Sequence, residues 1–199
     1  QAGQFFLAQL KKNEIDVSGT VEVGGILPND ALPLYRHINS RNLEELLAVL
    51  LEHSNNFMTN QIFLAMGAER FGPPATLAKS QAVIYEYLDS KGLSRLNLVE
   101  GSGLSRLNSL TARQMADILA AFEPSRHLVK SRQDGSVLYK TGTMSDISTL
   151  AGYLVRPDRP SEPLSFVILL NGAYYPGTRE KILDVLKSHF IDEPSGAKG

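Results

Sequence analysis

The sequence contains no cysteine. That absence excludes disulfides, thiolate nucleophiles and cysteine-ligated zinc or iron–sulfur sites, and it leaves the compartment open. Long apolar runs are missing as well. Leu46–Leu51 and Leu164–Leu170, the latter broken by Ser165, fall far short of the ~20 residues that a bilayer-spanning helix needs, so no membrane span is expected. Neither positive nor negative side chains are in excess: 20 Lys and Arg face 21 Asp and Glu, for a formal net charge of −1, and no basic cluster exceeds a few residues. A nucleic-acid partner is therefore not expected. The four histidines (His37, His53, His127, His189) lack metal-binding spacing. Gly24-Gly25 reads as a turn rather than a phosphate loop, and Gly101-Ser102-Gly103 lacks the Gly-x-Ser-x-Gly spacing of a nucleophile elbow. Neither a metal nor a cofactor is expected. The chain opens Gln1-Ala2-Gly3, without an initiator Met or a basic stretch leading into an apolar one, and so reads as part of something longer.

What is present is ordinary globular composition, 43% hydrophobic and 21% charged over 199 residues, enough to bury a sizeable core. Phe5, Phe6, Leu7 and Leu10 predict a short helix ending at Lys11-Lys12-Asn13, and Val17–Val23 alternates as a strand closed by Gly24-Gly25. Pro28 to Pro33 reads as loop. Asn39-Ser40 offers a helix start, after which Leu43, Leu46, Leu47, Leu50 and Leu51 fall at helical spacing. His53-Ser54-Asn55-Asn56 interrupts the pattern, which resumes through Phe57, Ile62, Phe63 and Met66 until Phe71-Gly72-Pro73-Pro74. A further helix is predicted from Ala75 to Ser90, and Thr111 with Gln114 has capping-box spacing ahead of another. Asp134-Gly135 then turns into Val137–Lys140. Leu150–Arg156 and Leu164–Asn171 are two more strands across a proline-rich turn, Pro157–Pro163, and Ile182, Val185, Leu186 and Phe190 mark a closing helix. The fold class is α+β: a helical lobe over about 40–123, then a three-strand antiparallel portion with its helix over about 134–191. Residues 1–191 form one domain portion, and 192–199 are a polar tail.

Two strings carry chemistry. Lys140-Thr141-Gly142-Thr143 ends a predicted strand and sets an ammonium, two hydroxyls and a backbone without a Cβ side by side, an arrangement that can hold a carboxylate. An ordinary strand-to-turn segment with a solvated lysine has the same look. Ser54-Asn55-Asn56 interrupts two apolar helices, and by itself reads as a helix junction or N-cap. In this order the two strings resemble two thirds of the motif set of penicillin-binding proteins and serine β-lactamases. Glu100-Gly101-Ser102-Gly103-Leu104-Ser105-Arg106-Leu107-Asn108 narrows the likeness. It is similar to the Gly-Ser-Gly-Leu-Ser-Arg segment of the D-alanyl-D-alanine carboxypeptidase/endopeptidase family, the low-molecular-mass class C penicillin-binding proteins. His53–Met58 and Tyr139–Met144 also resemble that family's stretches.

The resemblance implies a penicillin-sensitive serine D,D-peptidase that works through an acyl-enzyme on peptidoglycan stem peptides, exported to the periplasm or cell envelope, with β-lactams as further ligands. It implies catalytic roles for Ser54, as the hydroxyl relaying a proton to the departing amine, for Asn56, as the amide ordering substrate and the reactive lysine, and for Lys140. It implies substrate binding by Thr141, Gly142 and Thr143, with the Thr143 N–H as one oxyanion donor. The family's Ser-x-x-Lys nucleophile motif is missing. Its single match, Ser195-Gly196-Ala197-Lys198, sits in the polar tail and reads as coincidence. The expectation is a partial domain without the N-terminal strands and nucleophile helix, inactive alone, exposing apolar faces through which it can self-associate. A non-catalytic penicillin- or peptidoglycan-binding module and a β-lactamase or esterase relative are the alternatives. The Gly-Ser-Gly-Leu-Ser-Arg stretch speaks against the second of these.

Overall fold

The computed structural model describes residues 2–22, 24, 32, 35–132 and 134–192. These fall into two compact units, residues 1–40 and 41–199. The first holds helix α1 (Ala2–Lys12), where the aromatic-rich pattern predicts it. The strand expected over Val17–Val23 does not form: residues 17–22 are irregular, and Val23 lies outside the described residues. Val21 instead packs back on α1, so close to Gly3 that a Cβ there would meet Val21 Cγ1 at 2.6 Å. A strand also needs a neighbour for its ladder, and the described sheet contains none from this segment. Most of the Pro28–Pro33 loop, and all of 193–199, lie outside the described residues.

In the second unit, α2 (Leu43–His53) starts at Asn42, later than the predicted Asn39-Ser40. The reason is chemical: Asn42 has a glutamate three residues on. Asn42 Oδ1 accepts from Glu45 N at 2.9 Å, and Glu45 Oε2 accepts from Asn42 N at 2.9 Å. Helix α3 (Asn56–Phe71) follows at once, capped by Asn55, and α4 (Leu77–Ser90) is capped by Thr76, just past the predicted start. These two helices meet where Gly67 faces Ser80, with space for no side chain at Gly67. The Thr111/Gln114 capping box forms as predicted and opens α5 (Ala112–Phe122).

The sheet has four antiparallel strands rather than three, in sequence order: β1 (Lys130–Ser131), β2 (Val137–Met144), β3 (Ile147–Arg156) and β4 (Arg159–Asn171). β1 is two residues long, too short to leave a periodicity. The proline-rich turn shrinks to Pro157-Asp158, because β4 is an edge strand that can carry Pro160 and Pro163 without breaking an interior ladder. On one face Val137, Leu150, Leu154, Phe166 and Ile168 are buried together with Leu183 of α6 (Thr178–Lys187). On the other, Tyr153 is 1% exposed and donates from Oη to the Leu119 carbonyl of α5 at 2.6 Å; burial pushes its phenol up to about 12. The α+β class therefore stands, with helices on both sides of a small meander.

Candidate active site

The α2–α3 junction is built on a single residue of unusual backbone. Ser54 closes α2 in the left-handed conformation (φ 52°, ψ 50°), its N–H bonded to the Leu50 carbonyl. A non-glycine residue held there stores strain of roughly 1 kcal/mol, and such strain gathers where a side chain must be aimed. The aim is visible. Lys140 of β2 crosses from the sheet and donates from Nζ to Ser54 Oγ at 2.5 Å and to its neighbour's carbonyl, Thr141 O, at 2.8 Å. The ammonium is partly buried, and that desolvation lowers its pKa. A lysine so tuned, touching a hydroxyl on an exposed helix junction, can exchange protons with it.

The register of β2 sets the rest. Lys140 pairs with Ala151 and Gly142 with Thr149 on one face of the sheet, while Thr141 and Thr143, paired with Leu150 and Ser148, point to the other. Gly142 has a local reason: a Cβ there would stand 2.5 Å from Thr149 Oγ1. β1 pairs only with Leu138 and Tyr139, so from Lys140 onward no described strand pairs with the outer edge of β2, which can take an extended peptide as an added strand. Ser54 and Lys140 are thus brought together. Asn56, the first residue of α3, is exposed beside them, and its amide hydrogen-bonds to no described residue. The Thr141 hydroxyl is likewise unpaired among the described residues.

Two groups at this site carry roles that the sequence does not assign to them. Arg179, near the start of α6, donates from Nη1 to Thr143 Oγ1 at 2.9 Å, Gly142 O at 3.2 Å and Thr149 O at 3.3 Å, and from Nε to Glu180 Oε1 at 2.7 Å. A cation in the first turn of a helix opposes the helix dipole, and that mismatch is the signal that could have singled it out. The second group is Glu100. Burial alone would raise its carboxyl, but donors from Ser102 Oγ and N, Ser105 N and the Asn60 side chain outweigh that and hold it down at about 2. Asn108 Nδ2 adds a further bond at 2.6 Å. Glu100 thereby ties up the 99–108 loop, whose Arg106 reaches across to the β2–β3 turn, at 2.6 Å from Asp146 Oδ1 and 3.3 Å from Ser145 Oγ. The hexapeptide Gly-Leu-Ser-Arg-Leu-Asn occurs twice, at 92–97 and 103–108; Asn97 of the first copy donates from Nδ2 to Leu107 O of the second at 2.7 Å and bridges to Ser109 just beyond it. Of the histidines, His127 meets Glu44 at 2.8 Å; among the described residues no three or more potential ligands cluster as a metal site. The tail serine, Ser195, lies outside the described residues.

This arrangement of a helix junction facing an open strand edge is that of a penicillin-binding fold. Penicillin-binding protein 4 of Haemophilus influenzae, solved in complex with a β-lactam, superposes with a TM-score of 0.75 over 93% of this chain and 50% of that one, at 20% identity. A predatory endopeptidase of Bdellovibrio bacteriovorus, solved with its immunity protein, does so with a TM-score of 0.59 over 79% and 45%, at 18% identity. In sequence, the chain is 30% identical over 200 aligned residues to a D-alanyl-D-alanine carboxypeptidase of an Actinomadura strain, covering 86% of this chain and 36% of the relative. It is 26% identical to D-alanyl-D-alanine carboxypeptidase DacB of H. influenzae, over 86% and 40%. The chain belongs to the D-Ala-D-Ala carboxypeptidase 3 (S13) family, whose profile matches residues 1–131. It spans about two fifths or less of the length of these curated relatives.

Proposed function

We propose that this chain is the motif-bearing part of a serine D,D-peptidase that acts on the D-Ala-D-Ala ends or cross-links of peptidoglycan stem peptides, and that is acylated by β-lactams. The supporting observation is the 2.5 Å contact between Lys140 Nζ and Ser54 Oγ, made across 86 residues of sequence. Because an ammonium only donates, Ser54 Oγ is the acceptor in that bond and its own proton remains free for a departing amine. Lys140 replaces the proton and adds positive potential where the substrate carboxylate lies. Thr141 and Thr143 donate hydroxyl hydrogen bonds to that carboxylate, Gly142 lets it approach the strand, and the Thr143 N–H supplies one oxyanion contact. Asn56, whose amide has no partner among the described residues, orders the substrate amide. The attacking serine and its lysine come from outside this chain, so the chain alone is inactive.

The same reading places the protein in the periplasm or cell envelope. Among the described residues no helix is long and apolar enough to cross a membrane. It also includes self-association of the isolated chain through uncovered apolar surface such as Leu43, which is 59% exposed. Incubation with a fluorescent penicillin followed by intact-mass and adduct mapping tests the reading. The expected result is no adduct on the 199-residue chain and a stoichiometric adduct, on a Ser-x-x-Lys serine, in the full-length protein that carries it. An adduct at Ser54 or Ser195, or none in the full-length protein, would overturn it.

A further inference from the structure

We infer that Arg179 is a positioning residue for carboxylate recognition, acting through the hydroxyl of Thr143; this rests on the function proposed above. The side chain of Arg179 is 17% exposed and lies against β2 on the face opposite Lys140. Its Nε is held by Glu180 Oε1 at 2.7 Å, which turns Nη1 toward the strand, where Thr143 Oγ1, Gly142 O and Thr149 O receive it at 2.9, 3.2 and 3.3 Å. A guanidinium carries donors and no acceptor. Thr143 Oγ1 can therefore only accept from Arg179, and its single proton has to point elsewhere. Thr143 is exposed, so that proton is turned toward whatever occupies the open edge of β2.

A free threonine hydroxyl rotates among donor and acceptor settings; one locked as a donor suits either oxygen of a carboxylate but only the carbonyl oxygen of a carboxamide, whose NH2 it opposes. The bonds to Gly142 O and Thr149 O do a second job, clamping β2 to β3 at the residue pair where the strand carries no side chain of its own to pack. Glu180 offsets most of the arginine's charge, so the effect is one of hydrogen-bond polarity more than net potential. The selectivity that follows is for ligands ending in a free carboxylate over the same ligands ending in a carboxamide.

The experiment measures kcat/KM of the full-length protein on two peptides ending in D-Ala-D-Ala, one with a free C-terminal carboxylate and one as the C-terminal amide. Arg179→Met is expected to lower the carboxylate-to-amide ratio about tenfold, as loss of support for one hydrogen bond to a charged group does. The loss should fall on KM more than on kcat, Arg179→Lys should restore part of the ratio, and in a Thr143→Val background the arginine substitution should add nothing. An unchanged ratio in Arg179→Met, or a loss that persists in full beside Thr143→Val, would overturn the inference and leave the peptidase reading intact. A wild-type protein that cleaves neither peptide would overturn both. Should Arg179→Met fail to fold, Arg179→Gln carries the comparison, and an unchanged ratio in Thr143→Val alone is then sufficient to refute the inference.

Discussion

Replacing Glu100 by glutamine exchanges an all-acceptor group for one that turns two N–H donors toward partners that are themselves donors. Ser102 N and Oγ sit on one carboxylate oxygen at 2.7 and 2.5 Å, and Ser105 N and Asn108 Nδ2 on the other at 3.2 and 2.6 Å. Whichever way the amide flips, one pair is left facing NH2. The carboxyl is held at about 2 against an ordinary 4.5. At about 1.36 kcal/mol per pKa unit the shift corresponds to about 3 kcal/mol. Water reaches this part-buried group, which screens the interaction and brings the expected cost of Glu100→Gln to ~1.5 kcal/mol at pH 7. The sign with pH follows from linkage. The folded pKa lies below the unfolded one, so the contribution is fully present above about 4.5 and is lost as pH falls through about 2. Urea unfolding of wild type and variant between pH 7 and pH 2 should therefore show two stabilities that converge in acid. A difference of less than about 0.5 kcal/mol at pH 7, or one that does not shrink in acid, would refute the reasoning.

Ser54→Gly relieves roughly 1 kcal/mol of left-handed strain and gives up a hydrogen bond of similar worth, so stability should stay within about 1 kcal/mol of wild type while β-lactam acylation of the full-length protein collapses. A change in urea stability of more than about 2 kcal/mol would show that Ser54 is structural. Gly152→Ala should cost ~3 kcal/mol or more, because the new Cβ falls on the Leu138 carbonyl oxygen and 2.7 Å from Tyr139 Cα, both fixed in the ladder. Gly142→Ala, which meets the movable Thr149 hydroxyl at 2.5 Å, should cost about a third of that. Thermal melts that rank the two the other way would contradict this reading of the β2–β3 pair.

The helical part of the fold is legible in the sequence because its signals are local. Thr111 and Gln114 carry their capping box within four residues, and the polar break at Ser54–Asn56 is where α2 and α3 meet. Family likeness is legible for the same reason, since Lys140-Thr141-Gly142-Thr143 and the 100–108 stretch are continuous strings. Apart from the start of α2, where the Asn42/Glu45 capping box is as local as the one at Thr111, and the two-residue β1, the misses are matters of partnership. Val21 lies in a segment with strand chemistry but finds α1, through Gly3, where a ladder was expected. Pro160 and Pro163 look like turn residues until β4 proves to be an edge. Arg179 belongs to no motif and stands 36 residues from Thr143, so only the third dimension shows what it touches.

The contact between Ser54 and Lys140 also fixes when the site exists. The junction is complete once α2 and α3 have formed, and β2 once its hairpin with β3 has closed; both are short-range events. The site requires a third event, the docking of one on the other, which closes a loop of 86 residues and depends on few contacts of its own, since α2 and α3 otherwise touch the sheet little. A form of the protein with every helix and strand intact can thus hold no site at all. Far-UV circular dichroism would score that form as native, whereas ligand capture would score it as empty, and the gap between the two readouts measures how tightly the helical segment is seated on the sheet.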